Sequence, residues 1–153
     1  MACTGGLEQN TKIHTGDNAR IPVNFVDCAG VAVDVTGVTL TYTVHQKAGM
    51  DAIFTRISPT QIVIANDGES AAILLVPANT DRTSAYFHKL VLTDAAGNTL
   101  TVFTGTVTFS QKVITCCVPL EARIDTDLFV PGAAAGYILD FSQAANSFYI
   151  SLF

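Results

Sequence analysis

The chain has 153 residues, of which 14% are charged, and its formal net charge is -5. Such a length accommodates one domain with about forty residues to spare. The negative balance, with no cluster of Lys and Arg, excludes a nucleic-acid partner, because phosphate contacts need grouped cations.

The charged share is well below the roughly 25% of an ordinary soluble domain. The hydrophobic share is 49% and tryptophan is absent. A surface of Thr, Ser, Asn and Gln suits β-structure, and it suits a protein partly covered by neighbours.

The opening "MACTGG" places Cys3 near the start, but no apolar segment precedes it, so neither a signal peptide nor a lipoprotein signal is expected. Residues 1–11 read as an amino-terminal extension. From Lys12 the pattern alternates with period two. In "ARIPVNFVD", Ile21, Val23 and Phe25 share one face. Pro22 lacks an amide hydrogen, which predicts a sheet edge or an outward amide position. The turn "DCAG" follows. "VTLTYTVHQ" then places Val38, Leu40, Tyr42 and Val44 inward, with Thr39, Thr41, Thr43 and His45 outward.

"AIFTRI" and "TQIVIAN" read as short strands, and "AAILLVP" is a buried one. "PANTDRTS" is a polar connection. In "AYFHKLVLTD", Tyr86, His88, Leu90 and Leu92 face inward. The turn "AAGN" opens a hairpin into "TLTVFTGTVTFSQ". Leu100 and Val102 occupy even positions there, Val107 and Phe109 odd ones, so a β-bulge is expected at Gly105, although Phe103 does not fit. Seven or eight short strands without a helix predict an all-β, immunoglobulin-like antiparallel sandwich over residues 12–113.

Residues 114–153 differ in character and read as a carboxyl-terminal β-rich arm. Three apolar bursts occur: Leu128, Phe129 and Val130; then Tyr137, Ile138 and Phe141; then Phe148, Tyr149, Ile150, Leu152 and Phe153. Asp140 is the one charge from Leu128 onward. Pro131, Gly132, Gly136 and Asn146 further interrupt a segment whose uncharged runs fall short of the roughly 20 residues of a spanning helix. A membrane role is not expected. Apolar strands without gatekeeping charges invite pairing with another chain, so the bursts are interface candidates; the alternative is folding back onto the sandwich.

The four cysteines, Cys3, Cys28, Cys116 and Cys117, form no CxxC pair and read as reduced thiols, with disulfides as the second reading and metal as the third. Cys116 and Cys117, at the junction of body and arm, are candidates to crosslink subunits outside a reducing cytoplasm. His14, His45 and His88 lie on separate strands without an HxH or HxxE pattern, and no GxSxG elbow or cysteine-protease signature occurs. His88 is expected to be a hydrogen-bonded core histidine. Asp125 and Asp127 do not follow the EF-hand pattern. No catalytic, cofactor-binding or metal site is expected, and the chain reads as a non-enzyme.

One resemblance adds to this. Gly16-Asp17 precedes the second strand; Asp27, Gly30 and the run Val33-Asp34-Val35-Thr36-Gly37 follow; Tyr86, His88, Leu90, Leu92, Asp94, Gly97, Gly105 and Phe109 close the pattern. In this order the residues resemble a small immunoglobulin-like domain of tailed-bacteriophage structural proteins, over about residues 12–112. His88 departs from a tyrosine-like position, and the arm falls outside the likeness. The resemblance implies a virion component made in the host cytoplasm. It would be a tail, baseplate, head-fibre or capsid-decoration protein, a homo-oligomer whose partners are its own copies and other virion proteins. The alternative is a carbohydrate- or cell-surface-binding module, which calls for clustered exposed aromatics.

Overall fold

Alternating apolar residues pair into two packed sheets in the computed structural model, which describes residues 7–111 and 119–124. Ten strands occur among them. They are β1 (Leu7–Glu8), β2 (Thr11–His14), β3 (Ala19–Asp27), β4 (Thr39–His45), β5 (Ala52–Ile57), β6 (Ile62–Ile64), β7 (Ser70–Leu75), β8 (Ser84–Thr93), β9 (Thr99–Ser110) and β10 (Leu120–Ile124). The first sheet has the order β1-β9-β8-β4-β5, with β2 also on β9. The second runs β10-β3-β7-β6. The protein is an all-β sandwich.

The core lies between the sheets, where burying apolar side chains supplies the main driving force. Ile21, Val23 and Phe25 of β3 meet Leu40, Tyr42 and Val44 of β4 and Leu90 and Leu92 of β8, all buried. The inward faces expected for these strands are the observed ones. The connection after β7 holds a single helical turn, α1 (Pro77–Thr80), where Asn79 Oδ1 accepts the Val76 amide at 3.0 Å. Pro77 begins this turn, where its missing N–H removes no bond.

Four expectations change. Pro22 is not on an edge strand, because β3 lies between β7 and β10. The Phe25 amide donates to Glu69 O on the β7 side, so by alternation the Pro22 nitrogen faces the β10 side. Pairing there begins one residue later, at Val23 opposite Leu120, so the missing donor interrupts no described rung. His45 lies on the outward side with Thr43 and Phe87, as expected, but is covered there and only 8% exposed. The β4 register shifts between Val44 and His45, and its ring is held by Met50 O and Thr43 Oγ1.

The bulge in β9 is at Val102, not Gly105. Leu90 faces Phe103 while Val91 faces Thr101, leaving Val102 as the extra residue. Val102 and Phe103 are both fully buried, which explains Phe103. The fourth change concerns the boundaries. Leu7–Glu8, read as extension, pairs in parallel with Phe103–Thr104. Leu120–Ile124, read as the start of the arm, pairs in parallel with Val23–Asp27, and Leu120, Ala122 and Ile124 are buried.

Gly105 has a different reason from the one its position implied. A Cβ there would overlap the carbonyl group of Gln9, which crosses directly over it. Gly105→Ala is therefore expected to lower stability by about 1–3 kcal/mol, in the range of overpacked interior sites. Thr106→Ala, at an exposed neighbouring position, should stay within about 0.5 kcal/mol. Urea unfolding midpoints of the two variants measure the difference.

Candidate functional site

Among the described residues the buried polar side chains are His45, Asn79, Thr80, His88 and Asp94. His88 projects from β8 into the core and is fully buried. Its Nε2 lies 2.7 Å from Gln9 O and its Nδ1 3.0 Å from the Tyr42 hydroxyl. A carbonyl oxygen only accepts, so Nε2 carries the proton and Nδ1 accepts from Tyr42. Phe103 and Tyr42 pack on the ring at centroid distances of 5.2 and 5.6 Å. The sequence expectation of a hydrogen-bonded core histidine describes this residue. Burial lowers the His88 pKa from its ordinary value, a shift partly opposed by the bond to Gln9, and burial raises that of Tyr42.

The other buried polar groups also serve the fold. Asp94 Oδ1 accepts the amides of Ala96 and Asn98 and closes the β8–β9 turn. The Thr80 hydroxyl donates to Asp17 O at 2.7 Å. His14, on β2, is partly exposed, with Nδ1 3.4 Å from Asp17 Oδ2. His45 is bonded to Met50 O and Thr43 Oγ1, so the three histidines share no hydrogen-bond partner among the described residues. Among the described residues no group of three or more His, Cys, Asp or Glu is placed to hold a metal.

Cys28 corrects the reduced-thiol reading: it is disulfide-bonded, and its partner sulfur lies outside the described residues. Sequence spacing did not reveal this, because disulfide formation depends on Cβ geometry across the fold. The crosslink candidates Cys116 and Cys117 lie outside the described residues, as does every interface candidate from Leu128 to Phe153. No helix among the described residues is long and apolar enough to cross a membrane.

What remains is a surface. On the outer face of the first sheet, cross-strand rows read Ile57–Thr41–Val91–Thr101 and Thr55–Thr43–Lys89–Thr104. Lys89 is the one charged residue in these rows. On β5 itself, Phe54 and Arg56 turn inward. Phe54 packs on the core beneath the Arg82 guanidinium, 5.4 Å from its ring centre, and Arg56 Nε donates to Leu74 O at 2.9 Å. Ile53, Thr55 and Ile57 face solvent, with Ile53 and Ile57 41% and 44% exposed. The opposite border of this sheet carries Glu8, Lys12 and His14. The exposed side of β5 comes from "AIFTRI", a strand whose sole charge is on the inward side, and sequence analysis did not single it out.

No family model matches the chain, and no curated protein matches it at a significant level.

The His88 geometry sets a pH dependence. Unfolded histidine titrates near pH 6.5, whereas native His88 resists protonation. Stability from this group is intact above about pH 6.5, falls as the pH drops below it, and levels off beneath the lower native pKa. His88→Leu should remove this slope. It should also cost about 1–3 kcal/mol for each of the two partners left unsatisfied, Tyr42 and Gln9. Urea titrations of both proteins between pH 7.5 and 5 measure it, and parallel pH profiles would refute the assignment.

Proposed function

We propose that the protein is a non-enzymatic structural component of a tailed-phage particle that works through contacts between subunits. The observation carrying this reading is where the residues of the phage-domain resemblance lie. Asp27, Asp34 and Asp94 accept the backbone amides that close their turns, and Gly30, Gly37 and Gly97 have positive φ within those connections. Tyr86, Leu90, Leu92 and Phe109 line the core. The sheet orders β1-β9-β8-β4-β5, with β2 also on β9, and β10-β3-β7-β6 support the immunoglobulin-like part of this reading, which places two packed sheets of such strands around one core. In this reading the buried polar groups hold the scaffold, and the contact surfaces are the arm and the sparsely charged outer face. The particle supplies the neighbours: further copies of this chain and other virion proteins.

Deletion of residues 128–153 tests the assembly role. The full chain is expected to oligomerise and enter particles, and the truncated chain to run as a monomer in light scattering. Unchanged mass and incorporation would overturn the role of the arm. In the same reading whichever of Cys116 and Cys117 is not the Cys28 partner crosslinks subunits once the particle leaves the reducing cytoplasm. Intact particles should then show a ladder on non-reducing electrophoresis that collapses on reduction, and identical migration would end that idea.

A further inference from the structure

We infer that the free edge of β5 is the acceptor for the segment Ser147–Phe153 of a second copy, which adds there as a further strand. The inference rests on the assembly reading above and names the surface that receives the arm.

The backbone register identifies the vacant groups. The Ser58 amide donates to Leu40 O at 3.0 Å, so in this antiparallel pair Phe54 and Arg56 turn their amides and carbonyls toward β4. Thr55 and Ile57 turn theirs the other way, while Ile53 is the extra residue of a bulge, since Val44 faces Phe54 and His45 faces Ala52. Gln61 occupies those of Ile57: its Oε1 accepts the Ile57 amide at 3.0 Å, and its own amide donates to Ile57 O at 3.1 Å. Among the described residues Thr55 keeps an outward-directed donor and acceptor without a partner, flanked by the exposed side chains of Ile53 and Ile57. Unprotected edges of this kind pair readily with another strand.

The remaining sheet borders are less open. β6 is only three residues long. At β10, the Glu121 amide is already bonded to Gln9 Oε1 at 3.0 Å. The β1/β2 border carries charged residues, which discourage pairing.

The occupant follows from the sequence beyond β10. Of the 29 residues from 125 to 153, the last thirteen carry no charge, and Ser147–Phe153 alternates large apolar side chains. At about 3.3 Å per residue this segment spans roughly 23 Å, against roughly 20 Å for β5. Residues 125–146 reach up to about 70 Å when extended, enough to leave one molecule and arrive at the next. An uncharged strand suits an edge whose outward side chains are Ile53, Thr55 and Ile57.

The test uses the full chain. Thr55→Pro removes one outward N–H and places a ring at the edge without touching a bond to β4. Ile53→Lys places a charge at a position already exposed, and it carries the test if circular dichroism shows Thr55→Pro to be unfolded. Light scattering of each edge variant and of a chain lacking residues 147–153 should give the monomer mass. Mixing an edge variant, which keeps its donor, with the deletion chain, which keeps its edge, should restore a 1:1 pair. A mixture that stays monomeric overturns the inference. If the deletion abolishes assembly while both edge variants retain it, the arm works at another surface: β5 is excluded and the assembly reading stands. If every variant keeps the full-chain mass, both readings fail. A monomeric full chain whose Thr55 amide exchanges more slowly than in the deletion chain would show the edge filled by its own tail, and donation by a second copy would be wrong.

Discussion

The structure depends on one close approach, that of the Gln9 backbone over Gly105. Only a residue without a Cβ permits it, and the contact places the Gln9 carbonyl where His88 Nε2 can donate to it from inside the core. The imidazole passes the constraint on through Nδ1 to Tyr42 on β4. One hydrogen-bond chain therefore ties the amino-terminal segment, β8 and β4 together. In a low-dielectric interior such a chain is strong when complete and costly when any member is lost.

That anchoring shapes the rest of the molecule. With Gln9 held, β1 and β2 lie in parallel along β9, and the Gln9 side chain reaches the first amide of β10's outward edge at Glu121. One flank of the sandwich is thereby closed by short strands, charges and a side-chain bond. The other flank ends in β5, six residues long, with the outward backbone groups of Thr55 unpaired among the described residues and a mostly threonine and isoleucine surface. The asymmetry connects the core to the proposed assembly role, since the same chain offers an open edge and an uncharged strand-like segment.

Much of the fold was legible in the sequence because period-two alternation is a local property of a strand with one buried face. Leu40, Tyr42, Val44, Leu90 and Leu92 could be assigned inward on that ground alone. The Val102 bulge was misplaced to Gly105 because a glycine in a strand has two physical meanings, a bulge or a close backbone approach, and the sequence does not distinguish them. Pro22 misled in the same way: its cost depends on which side its nitrogen faces and where the neighbouring strand begins.

The sequence by itself determined the all-β class, the inward faces, the turn positions and the core role of His88, since each follows from side-chain type and local spacing. Only tertiary structure decided that Leu7–Glu8 and Leu120–Ile124 belong to the sheets, that Cys28 is disulfide-bonded, and that β5 is left at an edge. These outcomes depend on contacts between residues far apart in the chain. Pairing partners, sulfur proximity and strand order are settled by which surfaces pack together, and no local pattern encodes that.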